Sequence, residues 1–269
     1  MLDPTLSRPL RSPEKPEAGN KPDRGPVVWT MRIEIWSDVV CPWCYIGKRR
    51  LEKALATFAE QHRGQAVDVE IVWRSFELDP SAQKVPVETV AEALGRKYGG
   101  GPEAGRQMVD RVEAVAAEEG LLFRHHQSLR VSTVDAHRLL HHALETGGPE
   151  LQGRLKEALL SAYFVETENV ADHDTLLRIA AGIGLDEVQA KDVLAGDAYA
   201  DAVEADIREA AALGATGVPF YVVDRRYGVS GAQPSEVFLQ VLEKAWGDAH
   251  PRLDVVGGAD ACGPDGCAI

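Results

Sequence analysis

Two cysteines separated by a proline and a tryptophan, Cys41-Pro42-Trp43-Cys44, stand where an alternating stretch gives way to a helical one. No other feature restricts the fold of this chain as much. Before the pair, Arg32-Ile33-Glu34-Ile35-Trp36 alternates polar and apolar residues as a strand does, and the strand is expected to start at Met31. After it, Leu51, Leu55, Phe58 and Ala59 recur at helical spacing up to a stop near Arg63-Gly64. Val67, Val69, Ile71 and Trp73 then alternate with Asp68, Glu70 and Val72 in a second strand. Strand, helix and strand with short joins make a βαβ unit, whose crossover normally links parallel strands with a right-handed turn.

From about Pro86 to Ala212 the pattern is helical, with apolar stripes such as Val109, Val112 and Ala116, then Leu155, Leu159 and Tyr163. Breaks are expected at Gly99-Gly100-Gly101-Pro102, Gly147-Gly148-Pro149 and Gly182-Ile183-Gly184. Val218 to Val223 and Tyr227 to Ser230 read as a hairpin around Asp224-Arg225-Arg226. A last helix follows to about Trp246, with Ser235 as the expected N-cap. The sum is an α/β chain with a thioredoxin-like fold, carrying a large all-helical insertion between its βαβ and ββα halves. The expected organisation is a disordered leader (1–30), the first thioredoxin-like half (31–85), the helical insertion (86–212), the second half (213–247) and a flexible tail (248–269). Met31 is also an expected alternative start of translation.

Cysteines three apart at the start of a helix can join across one turn. The orphan N–H groups and the dipole of that turn favour a thiolate and lower a cysteine pKa from ~8.5 to between about 3.5 and 7.5. Cys41 is therefore expected to be the more exposed attacking thiolate and Cys44 the buried resolving thiol, with Pro42 and Trp43 tuning the potential between them. A zinc half-site or an inert buried pair are the alternatives for a C-x-x-C, and the place of this one inside a βαβ unit favours redox chemistry. Thr216-Gly217-Val218-Pro219 opens the third strand, where thioredoxin-like folds hold a cis-proline facing the cysteines. The Val218 backbone and Pro219 are thus candidate substrate-binding residues, pairing with a substrate peptide as an added strand.

These segments resemble the cytoplasmic DsbA-like family often labelled FrnE or predicted dithiol-disulfide isomerase, akin to 2-hydroxychromene-2-carboxylate isomerases and kappa-class glutathione transferases. The resemblance is carried by Ser37 to Gly47, by Ala136-His137-Arg138-Leu139, by Ala162-Tyr163-Phe164, by Gly217 to Phe220 and by Ser230 to Pro234. Ser132-Thr133 stands where similar proteins have Asn-Thr. The resemblance implies a thiol–disulfide oxidoreductase or isomerase acting on protein or peptide disulfides. It needs no cofactor beyond its own redox-active disulfide and no metal, and glutathione is a candidate electron donor or co-substrate. Two other readings use the same residues: a glutathione-dependent isomerase or transferase, whose relatives typically have Ser at the position of Cys41, and a cysteine-rich metal-binding protein.

A net charge of −13 makes a poor nucleic-acid partner. No apolar run approaches a membrane span, and Met1 to Thr30 holds six prolines and no apolar h-region, so a cytoplasmic setting is expected. Cys262 and Cys267 flank a Gly-Pro-Asp-Gly turn and form a candidate second redox pair. His137 and His141, spaced i, i+4, suit a metal, but a structural hydrogen bond is the expectation for His137. His125-His126 is expected on the surface, Trp36 and Trp73 in the core, and Trp43 open to substrate. Asp38 and Glu34 are expected to be surface carboxylates, with proton transfer to Cys44 as their alternative role.

Overall fold

In a computed structural model, residues 29–65 and 67–251 are described. Residues 1–28 of the expected leader and the second cysteine pair, Cys262 and Cys267, lie outside them, while Trp29 and Thr30 belong to the first strand.

The βαβ unit is present. Strand β1 (Trp29–Ser37) leads into helix α1 (Pro42–Gln61) and then into strand β2 (Val67–Ser75). β1 pairs in parallel with β2 over its whole length, from Trp29 opposite Val67 to Ser37 opposite Ser75. The strand therefore begins two residues before Met31, because Trp29 is held by the edge of the Trp246 ring, with centroids 5.1 Å apart. Helices α2 (Val90–Tyr98), α3 (Gly101–Glu118), α4 (Val134–Phe164), α5 (His173–Gly182), α6 (Glu187–Ala195) and α7 (Ala200–Ala212) follow. Strands β3 (Phe220–Val223) and β4 (Tyr227–Ser230) and helix α8 (Ser235–Ala249) complete the chain. The sheet order is β2-β1-β3-β4, with β3 antiparallel to both of its neighbours.

The glycine breaks appear where the sequence placed them. Gly148, at φ 69°, kinks α4 just before Pro149 rather than ending it, since helical hydrogen bonding resumes beyond. Ser235 does not cap α8: Pro234 takes the cap position and Ser235 is the first helical residue, with no side-chain cap. Helix α8 also runs three residues past Trp246, so the expected tail boundary shifts towards the C-terminus.

Alternation along β1 sorts its side chains onto two faces. Met31, Ile33 and Ile35 join Leu51 and Phe58 of α1 and Phe238 and Leu242 of α8 in one buried cluster. Trp36 faces the other way, with Val222 and Ala210 of α7. Its indole N–H donates to Asp206 O at 2.8 Å. Glu34 is buried on this second face rather than exposed, because Arg74 and Arg225 both pair with it. It is a clamp between strands, and its place on the sheet face turns it away from the cysteine pair.

The helical layer has its own core, in which Tyr45 and Ile46 of α1 pack with Leu139, Leu155, Leu159 and Phe164 of α4. Helix α4 also closes the outer edge of β2. Gln152 accepts from Trp73 N at 2.9 Å and donates to Trp73 O at 2.8 Å, supplying the ladder that a further strand would have made. Asp206 of α7 takes the next outward group, Ser75 N, at 2.8 Å. Gln152→Leu leaves both Trp73 backbone groups buried without partners. The expected loss is about 2–5 kcal/mol of stability, read as a lower midpoint in urea unfolding, and an unchanged midpoint would show that α4 does not hold this edge.

Candidate active site

Helix α1 starts at the carboxyl end of β1, so its open N-terminus lies at the top of the sheet. Cys41 is the N-cap, at φ −91° and ψ 111°, and Pro42 enters the first turn, where a missing N–H leaves no bond unmade. Cys44 N donates to Cys41 O at 3.0 Å, closing that turn with both sulfurs on its inner side. Cys41 is 2% exposed and Cys44 not at all, so both are buried, with Cys41 only slightly the more open. Trp43 stands between them at 41% exposure, as expected.

The Val218–Pro219 peptide is cis, as the motif suggested. The Val218 carbonyl faces the pair, and the Cys41 thiol donates to it at 3.6 Å. A groove of about 640 Å³ opens from this point. Cys41, Trp43 and Val218 form one wall, and Leu78, Leu94, Tyr98 and Val112 line much of the rest. Its arginines are already engaged, Arg96 with Glu88 and Arg130 with Asp79, which leaves the groove mainly apolar. A larger cleft of about 980 Å³ runs along β2 and contains neither cysteine.

The sulfurs titrate as a pair. Burial, the hydrogen bond with Cys44 and the charge on Cys44 together push the Cys41 thiol well above its ordinary value. At Cys44 burial acts in the same sense, but the Cys41 hydrogen bond, the Lys156 ammonium and Ser37 outweigh it and hold that thiol below the ordinary value. Charge is thus opposed at Cys41 and supported at Cys44. Burial and the Cys44 contact act against the acidity that the helix terminus gives Cys41. The helix terminus favours charge at the cap, while the Lys156 ammonium favours it at the second sulfur.

Asp38 is fully buried, not on the surface. It accepts from Leu78 N at 2.8 Å and from His137 Nε2 at 3.2 Å. Burial opposes its charge, yet the His137 contact and the Leu78 N–H hold the carboxyl below its usual range. Burial lowers His137 despite that partner, so the ring is neutral and gives its one proton to the carboxylate. His137 therefore has the expected structural bond. His141 turns instead to Ser75 Oγ and Asp206, both at 3.1 Å. His125, expected on the surface, is buried at the groove in a short 3-10 turn (His125–Gln127) against Phe164, and burial pushes it down to about 4. Among the described residues no group of three or more His, Cys, Asp or Glu is placed to hold a metal ion.

Sequence reasoning missed Lys156. This α4 residue is fully buried, and its ammonium donates to Ser37 O at 3.3 Å. The signal was present in the spacing. Gln152, Lys156 and Leu160 follow at i, i+4 on the inward side of α4, so two polar residues sit on a stripe that should be apolar.

The DSBA-like thioredoxin domain family matches residues 32–243. The chain belongs to this family. It is 50% identical to a probable DsbA oxidoreductase from Streptomyces coelicolor, covering 89% of this chain and 99% of that one with a TM-score of 0.73. It is 28% identical to the uncharacterized protein YwbO of Bacillus subtilis (strain 168), over 83% of this chain and 99% of the relative. The cytosolic disulfide reductase DsbM of Pseudomonas aeruginosa, solved with glutathione, shares the fold at 19% identity and a TM-score of 0.55, covering 80% of this chain and 98% of that one. A DsbA-like member of the thiol–disulfide oxidoreductases, with a thioredoxin-like fold and a large helical insertion, is what these likenesses establish. Among the described residues no helix is long and apolar enough to cross a membrane.

The charge distribution gives a direct test on the full-length chain with Cys262 and Cys267 replaced by Ser. Ultraviolet thiolate absorbance is expected to rise in two separated steps, one below the ordinary thiol pKa of ~8.5 and one well above it. Two coincident steps at the ordinary value would rule out the coupled pair.

Proposed function

We propose that this protein exchanges dithiols and disulfides on protein or peptide substrates, with Cys41 and Cys44 as its redox centre. The observation that carries the reading is the Cys41 sulfur at the cap of α1, facing the Val218 carbonyl at the mouth of an apolar groove. A folded disulfide-bonded loop or an extended peptide can lay apolar side chains against Trp43, Leu78 and Tyr98 while its backbone runs beside Val218. The groove has few free charges to select a small anionic substrate, so its chemistry suits polypeptide.

In the reducing direction, Cys41 attacks the substrate disulfide as a thiolate, and the proton it gives up leaves with the released substrate thiol. A mixed disulfide forms and one substrate thiol leaves. Cys44, one turn inside the helix, then attacks Cys41 and releases the second thiol. Two electrons have passed to the substrate, and the enzyme holds a Cys41–Cys44 disulfide. Oxidation of a substrate dithiol runs through the same steps backwards. Pro42 and Trp43 would tune the balance between the directions, and Pro219 would present the Val218 backbone. A reducing cytoplasm, with glutathione as donor or co-substrate, is the proposed setting, supported by the glutathione found with the Pseudomonas neighbour.

Insulin reduction and refolding of scrambled ribonuclease, run side by side, test the activity and read its direction. Wild type is expected to accelerate at least one of them, and Cys41→Ser to lose at least about a hundredfold of that rate. Cys44→Ala is expected to accumulate a mixed disulfide through Cys41, visible by mass spectrometry. Activity that survives Cys41→Ser would refute the assignment.

A further inference from the structure

Helix α4 seals β2 only at its upper end, where Gln152 takes both outward groups of Trp73. Backbone groups along a strand alternate in direction, so Val69 and Ile71 also turn their N–H and C=O away from β1. Among the described residues no backbone or side-chain group pairs with them. Both residues line the cleft of about 980 Å³ that runs along this edge between α1, α4 and the end of α5. An open strand edge is a template for another chain.

Two further observations say what kind of chain. Trp73 is 5% exposed and forms part of the cleft wall, yet its indole N–H has no acceptor among the described residues. Its Nε1 lies 3.9 Å from where the first side-chain carbon of residue 153 would sit. Gly153 has no such carbon, so the donor reaches the cleft. The charge of the lining is one-sided. Glu52, Asp68, Glu70, Glu150 and Glu157 stand against two cations, Lys48 and Arg154. Lys48 is already paired with Glu52 and Glu157, whereas Asp68 and Glu150 have no ion-pair partner among the described residues. A second copy of this edge would set Asp68 and Glu70 against their own kind, a destabilising pairing.

We propose that this cleft is a polypeptide-binding site, taking an extended cationic segment of a partner protein as an added strand on β2. It shares no lining residue with the groove at Cys41, and it stands whether or not the cysteines are redox active. The incoming backbone continues the ladder at Val69 and Ile71, one of its carbonyls accepts from the Trp73 indole, and its lysine or arginine side chains meet Asp68 and Glu150. Gln152 occupies the next outward position, so the paired stretch is short, about four residues.

Amide hydrogen exchange on the full-length chain reads the site directly, with a peptide of about ten residues alternating valine and lysine as the probe. At millimolar peptide the amides of Val69 and Ile71 are expected to exchange at least about tenfold more slowly, and the Trp73 indole resonance to move. The glutamate counterpart is expected to bind at least about tenfold more weakly. A lysine peptide methylated at its backbone nitrogens keeps the charge but cannot lie against a strand, and it is expected to give no protection. Gly153→Leu puts a side chain over the indole. Leucine suits a helix better than glycine, so the fold is kept, and binding of the lysine peptide is expected to fall about tenfold or more.

Amides of Val69 and Ile71 already protected in the free chain mean that the edge is filled, by the chain's own ends or, where protection grows with protein concentration, by a second copy. Either result overturns the proposal. So does exchange that millimolar lysine peptide leaves unchanged, equal protection by the glutamate or methylated peptide, or undiminished binding to Gly153→Leu.

Discussion

The seal that helix α4 makes along the outer edge of β2 is the contact on which the arrangement depends. Gln152 satisfies both outward groups of Trp73, as a strand would, so the helix must lie at a fixed height along the sheet. At that height its earlier half brings His137 to Asp38 and its later half brings Lys156 to Ser37 O. A second set of bonds fixes the helix from the side: Glu157 accepts from Tyr45 Oη at 2.6 Å and pairs with Lys48 at 2.6 Å. The inserted helices are therefore not an appendage beside a redox domain. They furnish the buried polar groups around its reactive turn.

Helix capping and burial compete at the two sulfurs. The N-terminus of α1 offers fixed partial charge to Cys41, an effect worth at most a couple of kcal/mol. A whole ammonium sunk in a low-dielectric interior is a larger source of potential at short range. Burial and the Cys44 contact oppose charge on Cys41, while Lys156 and Ser37 favour it on Cys44.

Much of the fold was legible because its signals are local. The alternation of Ile33 and Ile35 with Glu34, the helical spacing of Leu51, Leu55 and Phe58, and the glycine breaks each depend on a few neighbouring residues. The two cysteines and Pro219 were legible because their setting, strand into helix and loop into strand, constrains them. The surroundings were not. Asp38, Glu34 and His125 are polar, and a polar residue read alone belongs on a surface. Each is buried by a partner far along the chain: His137, Arg225 and Phe164 respectively. Lys156 sat on an inward stripe, but nothing local says that it meets the end of β1 at Ser37. Those pairings exist only after α4 docks.

The ring cluster at the lower end of the sheet has a practical corollary. Trp29, Trp246 and His250 meet within about 5 Å of one another, so both ends of the described chain emerge side by side. Cys41 lies beyond the opposite end of β1, a nine-residue strand spanning about 26 Å. Both ends of the described chain thus lie at the base of the molecule, at the far end of β1 from the mouth of the groove.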